Sequence, residues 1–198
     1  AAAARAGCRP GVAHALRAGG PQDGQFNRVD CHAGVPVAVC RGGGSAVIWQ
    51  GASLIDDQRS IAESTPDTVT VGETVLRITS DNPAKFRAFD VATSEEYLLR
   101  KAGFTVSRYA ADCAGRRYTL NRSGFDLLSG AVTPKREIRD NAGELIAVTR
   151  GFPSGELGVD VAEPTLRAGG FDEIQLVDLA FMSWALTFVD APARRNMY

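Results

Sequence analysis

The chain has 198 residues, of which 44% are hydrophobic and 23% charged, and 22 basic side chains balance 23 acidic ones to a net charge of -1. This composition is ordinary for a globular protein and excludes a strong global field that would draw the chain to nucleic acid or acidic lipid. Its four cysteines are too few for a disulfide scaffold, so a reduced, cytoplasmic protein is expected, in solution or peripheral to a membrane.

Residues 1–46 differ in composition from the rest of the chain. They are dominated by Ala, Gly, Arg and Pro, contain Phe26 as their only aromatic residue, and show no sustained periodicity. Such a segment buries too little apolar surface to offset the entropy of ordering it, so we predict low order. Its apolar residues never form the core of a secretory signal.

Residues 47–198 are predicted to form one antiparallel β domain of about eleven strands, because short apolar runs alternate with polar residues and end in turn sequences. VIWQGASLI (47–55) predicts a strand pair or one bulged strand. DTVTVG (67–72) and TVLRIT (74–79) predict a hairpin around Gly72 and Glu73. Later strands are predicted at 85–91, 96–102, 104–112, 116–122, 125–129, 135–140, 144–150 and 156–162, and turns ending in Gly at 112–115, 121–124, 140–143 and 152–155.

One convincing helix follows the strands, at about 172–189, with Asp172 as its cap and Pro192 as its stop. Its uncharged part, Leu179 to Val189, is about 11 residues or roughly 16 Å long, too short to span a bilayer. Apolar side chains point in all directions, so protein must surround this helix. A closed barrel would do so; a helix between two sheets of a sandwich is the alternative. Asp178 then needs a partner, such as an Arg from a barrel strand or a place at the barrel mouth.

The pattern of many strands, Asp-and-Gly-rich turns and one terminal hydrophobic helix resembles the tubby C-terminal-like superfamily, which includes tubby domains, LURP-one-related proteins and phospholipid scramblases. The resemblance spans about 47–190. It rests on VLRITSDNPAKFRAFDVATSEEYLLRKAGFTVSRYAADCAGRRYTLNR, on KREIRDNAGELIAVTRG and on the helix. It implies a closed or nearly closed barrel of 11–12 strands around the helix, and non-enzymatic binding of a phospholipid headgroup at a membrane surface. An acidic calcium segment like that of scramblases is not found.

Basic residues on the predicted strands are the candidates for such a ligand: Arg108, Arg116, Arg117, Arg122, Lys135, Arg136 and Arg139. Successive side chains on a strand point to opposite faces, so Arg116 and Arg117 cannot both face one headgroup. The alternative interpretation is a set of solvated strand faces.

Catalytic and metal-binding residue types are scarce. His14 and His32 both lie in the N-terminal segment, which leaves the β domain without a His for a Ser-His-Asp or Cys-His arrangement. No Cys-x-x-Cys pair joins Cys8, Cys31 and Cys40, and GGGS (42–45) lacks the Lys of a phosphate loop. Cys113 lies in a predicted turn, where an exposed thiol is either reactive or incidental.

We therefore predict no catalytic residue, no metal, no cofactor and no nucleic-acid partner, and an anionic phospholipid or a protein as the partner. Two alternatives stay open. One is a His-independent enzyme that uses Asp, Glu, Arg and Tyr in a pocket at the barrel mouth. The other is a structural protein-interaction module.

Overall fold

The computed structural model describes residues 46–128, 131–162 and 173–191, and within these ranges the chain forms twelve β-strands and one α-helix. The strands are β1 (Ala46–Gln50), β2 (Ser53–Asp56), β3 (Arg59–Ser64), β4 (Thr68–Val71), β5 (Thr74–Asn82), β6 (Lys85–Asp90), β7 (Glu96–Lys101), β8 (Arg108–Cys113), β9 (Arg116–Leu128), β10 (Ala131–Asp140), β11 (Leu145–Gly151) and β12 (Leu157–Val161). The helix is α1 (Glu173–Asp190). The predicted low-order segment, apart from Ala46, lies outside the described residues, as do the predicted cap Asp172 and stop Pro192.

The strands form a closed antiparallel barrel. Each strand pairs with the next along the chain, and β1 completes the circle by pairing with β12, where Trp49 faces Leu157 and Val47 faces Val159. Residues of β4, β6 and β12 alternate between buried and less buried positions, as the period of a strand requires. The predicted fold class is confirmed, and the sandwich alternative is wrong because the sheet closes on itself.

Three details of the strand prediction were wrong. β3 was not predicted, because Ile61 and Ala62 are its only apolar residues. The strand predicted from residue 104 begins at Arg108. The turn predicted at 121–124 is a β-bulge inside the continuous strand β9. There Gly124 pairs with Lys135 and Arg122 with Arg136, which leaves Ser123 as the extra residue.

Helix α1 fills the barrel interior, and side chains around its whole circumference are buried. Trp184 contacts the ring of Phe86 on β6 at a centroid distance of 5.8 Å, and Phe181 contacts Tyr97 on β7 at 5.6 Å. On another side of the helix, the indole of Trp49 donates a 2.9 Å hydrogen bond to Ser183. Several faces of the helix therefore pack into the core.

The helix runs from one end of the barrel to the other. We call the end at Glu173 the lower end, where the β4–β5 turn approaches the helix at Gly72. The end at Asp190 is the upper end, where Asp190 lies against β11. Strand alternation places the loops at 83–84 and 102–107 at the upper end, and the turns at 57–58, 72–73, 91–95, 114–115 and 141–143 at the lower end.

Gly151 allows the close approach of β11 to the helix end. A Cβ added at this position would lie 2.0 Å from the carbonyl oxygen of Asp190. We expect Gly151→Ala to lower the free energy of unfolding by about 1–3 kcal/mol, because backbone must move to admit the methyl group. Urea unfolding measures this change. The matched control is Gly103→Ala, which meets no atom within 4 Å and should change stability by about 0.5 kcal/mol or less; equal effects of the two substitutions would contradict the observed packing.

Candidate functional site

Asp178 anchors the lower part of the helix to β9. Its carboxylate is 1% exposed and accepts two hydrogen bonds from Arg116, at 2.6 Å from Nε and 2.8 Å from Nη2. The hydroxyl of Tyr118 donates a third, at 2.7 Å. Of the two possibilities left open for Asp178, an arginine from a barrel strand is the one observed. A buried carboxylate needs such partners because its charge is otherwise costly in the interior.

Asp190 anchors the upper end of the helix in the same manner. Arg136 on β10 donates to both carboxylate oxygens, at 2.9 Å from Nε and 3.0 Å from Nη2, and Arg122 on β9 donates a third bond at 2.8 Å. Sequence reasoning did not identify this site. A signal was present, because an acidic residue in the last turn of a helix opposes the macrodipole and is favourable only beside a cation.

Arg136 also holds the β7–β8 loop. Its Nη1 donates to the carbonyl oxygens of Ser107 at 3.1 Å and Leu120 at 3.3 Å, and its Nη2 donates to that of Val106 at 3.0 Å. With the two bonds to Asp190, the whole donor capacity of the guanidinium is used. Its side chain is 1% exposed. Arg136 therefore joins the loop to the helix and cannot reach a ligand at the surface, contrary to its predicted role.

The structure does not bring the seven predicted ligand residues into one site. Arg116, Arg122 and Arg136 bind the helix carboxylates. Arg117 lies on the outside with its Nε 3.8 Å from Asp112, and Arg139 pairs with Glu137 at 2.9 Å. Arg108 is exposed and Lys135 is half-buried. Within the described residues neither Arg108 nor Lys135 forms a salt bridge.

The pKa values of three groups around Asp178 are raised, which is the direction that disfavours acid–base or nucleophilic catalysis at neutral pH. Burial, followed by the charge of Asp178, raises the pKa of Tyr97 to about 12, and burial also raises the pKa of Tyr118 above its ordinary value. Cys113 is a free thiol that is fully buried rather than exposed in a turn, and burial raises its pKa well above the ordinary value. All three groups stay protonated near pH 7, whereas a general base or a thiolate nucleophile needs the opposite shift.

The raised tyrosine pKa values predict a loss of stability in alkali. In the unfolded chain these tyrosines ionise near pH 10.0, whereas in the folded chain Tyr97 holds its proton to about pH 12. The folded state then binds more protons than the unfolded state, so stability is complete below about pH 10 and falls as pH rises toward the folded pKa. Urea unfolding at about pH 8 and about pH 11 measures this slope. Tyr97→Phe should flatten it, and an unchanged slope would count against burial as the cause.

A group of unpaired cations lies at the upper end. Lys85, Arg100, Lys101 and Arg108 form what we call the basic rim. Lys85 faces Arg100 across β6 and β7, and the backbone N–H of Ala102 donates to the carbonyl of Arg108 at 2.9 Å, which brings the four backbones close together. Lys85, Arg100 and Arg108 share the outer face of the sheet, whereas Lys101, the last residue of β7, points to the opposite face from Arg100. In the described part of the chain, none of the four forms a salt bridge. Asp81 is an acidic neighbour, on β5 opposite Phe86.

Two concave surfaces adjoin the basic rim. Lys85 and Arg100 line an open groove of about 740 Å³ on the outside of β6 to β9, together with Leu98, Ala110 and Thr119. On the other side, Arg108 and Arg122 line a cleft of about 440 Å³ with Ser107 and Asn121. Asp112 and Arg117 also line the groove, farther from the rim, whereas no carboxylate of the described residues lines the cleft. Each surface offers cationic donors for a phosphate group on a larger molecule.

Sequence reasoning identified only Arg108 of the basic rim. Lys85, Arg100 and Lys101 were missed because Lys85 begins β6 and the other two end β7, and only strand pairing brings the two positions together. A signal was present in the two predicted strands at 85–91 and 96–102, since their pairing as an antiparallel hairpin places Lys85 opposite Arg100.

Charges differ between the two ends of the barrel. The lower turns carry Asp57, Glu73 and Glu95; near this end Arg117 and Arg139 pair with carboxylates, and Arg59 follows the 57–58 turn. The basic rim lies at the opposite end. The upper end also carries Asp67 and Glu156, in the turns at 65–67 and 152–156, so the positive charge is local to the basic rim.

The fold and the site define a closed twelve-stranded antiparallel barrel with an internal helix and one basic rim. No family model matches the chain, and searches of the curated proteins and of the solved structures found no match either. Among the described residues no helix has the length and apolar character that crossing a membrane requires. In the same ranges, no three His, Cys, Asp or Glu side chains are grouped as metal ligands.

Proposed function

We propose that this chain is a non-enzymatic, tubby-like domain that binds the headgroups of anionic phospholipids at a membrane surface. The observation that carries the proposal is the basic rim: four cations from three strands, close together and unpaired within the described residues. Cations elsewhere on the barrel, such as Arg87, Arg117 and Arg139, lie beside carboxylates.

The position of the basic rim supports a planar, negatively charged ligand. It occupies one end of the barrel, and the turns with Asp57, Glu73 and Glu95 occupy the other. An anionic bilayer attracts each nearby Lys or Arg by about 1 kcal/mol and repels the carboxylates, so the upper end turns toward the membrane. The groove and the cleft on either side of the rim give room for headgroup phosphates.

The internal helix supports a binding role rather than a catalytic one. In a barrel enzyme the interior or its mouth would supply a pocket for the substrate. Here the interior is occupied by α1, and its buried carboxylates Asp178 and Asp190 are neutralised by arginines.

Sedimentation with vesicles tests the proposal. The full chain should bind vesicles that contain phosphatidylserine or a phosphoinositide, and should not bind vesicles of phosphatidylcholine alone. Binding should weaken steeply as salt rises, because the attraction is screened. Absence of binding to anionic vesicles at low salt would contradict the proposal.

A charge-matched pair of variants assigns the surface. Arg100→Gln with Arg108→Gln should weaken binding by about 2 kcal/mol, or roughly 30-fold, because two rim charges are lost. Arg87→Gln with Arg139→Gln removes the same charge from paired, exposed positions and should have a much smaller effect. Equal losses in the two variants would show attraction to net charge instead of a site at the rim.

A further inference from the structure

Phe104 is the most exposed large apolar side chain of the described residues, with its whole surface in contact with solvent. It lies in the β7–β8 loop at 102–107, and Val106 in the same loop is also exposed. Single exposed apolar residues are common in globular proteins, but two of them in one loop, Phe104 and Val106, offer an apolar contact surface beside the basic rim.

The loop that carries Phe104 is attached firmly at its base. Arg136 holds the carbonyls of Val106 and Ser107 from the interior, and the backbone N–H of Arg122 donates to the carbonyl of Ser107 at 2.8 Å. The hydroxyls of Thr105 and Ser107 share a 2.6 Å hydrogen bond. Arg136, held in place by its buried ion pair with Asp190, therefore fixes the loop that presents Phe104. Because the loop is already ordered, little conformational entropy is lost on binding.

The surroundings of Phe104 are cationic. Lys101 and Arg108 flank the loop directly, and Lys85 and Arg100 lie on the adjacent strands. An apolar aromatic tip surrounded by cations matches the interface of an anionic bilayer, where a ring enters the acyl boundary and the cations stay among the headgroups. An apolar pocket on a protein would not need cations at the base of this loop.

We propose that Phe104 inserts into the interfacial layer of an anionic membrane, with the basic rim at the level of the headgroups. This inference rests on the proposed function and adds the depth and orientation of docking. The upper end of the barrel faces the membrane, and the acidic lower turns face away from it.

Exchange of Phe104 for a polar residue tests the insertion. Phe104→Ser should reduce the partition of the full chain onto phosphatidylserine-containing vesicles by roughly tenfold, because the apolar contact is lost while every charge is kept. The matched control is Val91→Ser, at a 58% exposed apolar position of a lower-end turn, which should leave the partition unchanged. Equal partition of Phe104→Ser and the unaltered chain would overturn the insertion.

Fluorescence of a Phe104→Trp variant reports the depth directly. Its added emission should shift to shorter wavelength on anionic vesicles and be quenched by lipids brominated in their acyl chains. The native Trp49 and Trp184 are buried and supply the background, which the unaltered chain measures. Binding that depends on Arg100 and Arg108 but gives no quenching of Trp at position 104 would overturn the insertion and leave the proposed function standing. No binding of the unaltered chain to any anionic vesicle would overturn both, and would favour a protein as the partner of this tip.

Discussion

Arg136→Met is expected to lower the free energy of unfolding by about 3–5 kcal/mol, the cost of removing one partner from a buried ion pair. Methionine fills much of the same space, so the loss comes from the interactions and not from a cavity. Asp190 keeps only Arg122 of its two arginines, and the carbonyls of Val106, Ser107 and Leu120 lose the donor they now share. The carbonyl of Ser107 keeps the backbone N–H of Arg122, so the main cost is at the buried carboxylate of Asp190, which loses two charge-assisted hydrogen bonds.

Urea unfolding of Arg136→Met beside Arg117→Met measures this loss. Arg117 is 74% exposed and contacts Asp112 only at 3.8 Å, so its replacement should change stability by about 0.5 kcal/mol or less. Arg136→Met should also speed amide exchange in the 102–107 loop, since the loop is released from the helix end. A stable variant with an unchanged loop would show that the pair is dispensable.

The second large effect concerns Arg116 and Asp178. Arg116→Met should cost about 3–5 kcal/mol, because Asp178 stays buried with Tyr118 as its remaining partner among the contacts described above. Replacing both residues, as Arg116→Met with Asp178→Leu, should be less harmful than Arg116→Met alone, because no charge is then left in the interior. A buried pair exchanged for apolar residues is often neutral or stabilising.

A double-mutant cycle tests whether the double variant is more stable than Arg116→Met alone. The two single variants and the double variant are unfolded under the same conditions, and the coupling between the sites is read from the departure from additivity. A double variant whose loss equals the sum of the single losses would mean that Arg116 and Asp178 do not act as a pair.

Much of the architecture could be predicted from local sequence. The two-residue link at Gly72 and Glu73 formed the expected hairpin, with Gly72 at a φ of 55°, because tight turns favour residues without a Cβ at positive φ. The helix was predictable because apolar side chains around its circumference can be covered only by protein. The partner of Asp178 followed from the cost of burying a lone carboxylate.

Other features depend on register, which local sequence does not specify. Arg122 and Arg136 both bind the carboxylate of Asp190 because a bulge at Ser123 places them opposite each other. The sequence at 121–124, which contains this bulge, had suggested a turn. The basic rim needs three strands in their observed order. A strand such as β3, with few apolar residues, is held by its neighbours and gives little periodic signal of its own.

The two alternative functions make different demands on the molecule. A His-independent enzyme would need a carboxylate or phenol able to exchange protons near pH 7, but the phenols of Tyr97 and Tyr118 are shifted in the opposite direction. An interaction module would present a contiguous apolar patch. The exposed large apolar residues of the described ranges divide between the two ends, with Phe104 and Val106 at the upper end and Val91 and Ile174 at the lower.

Amide hydrogen exchange of the full chain, with and without phosphatidylserine-containing vesicles, tests most directly whether the upper end binds the membrane. The account predicts that added protection is confined to peptides covering 83–85 and 100–108. Exchange at the lower turns, 72–73, 91–95 and 114–117, should stay as it is in the free chain. Protection that appears at the lower turns, or that is spread evenly over the barrel, would contradict it.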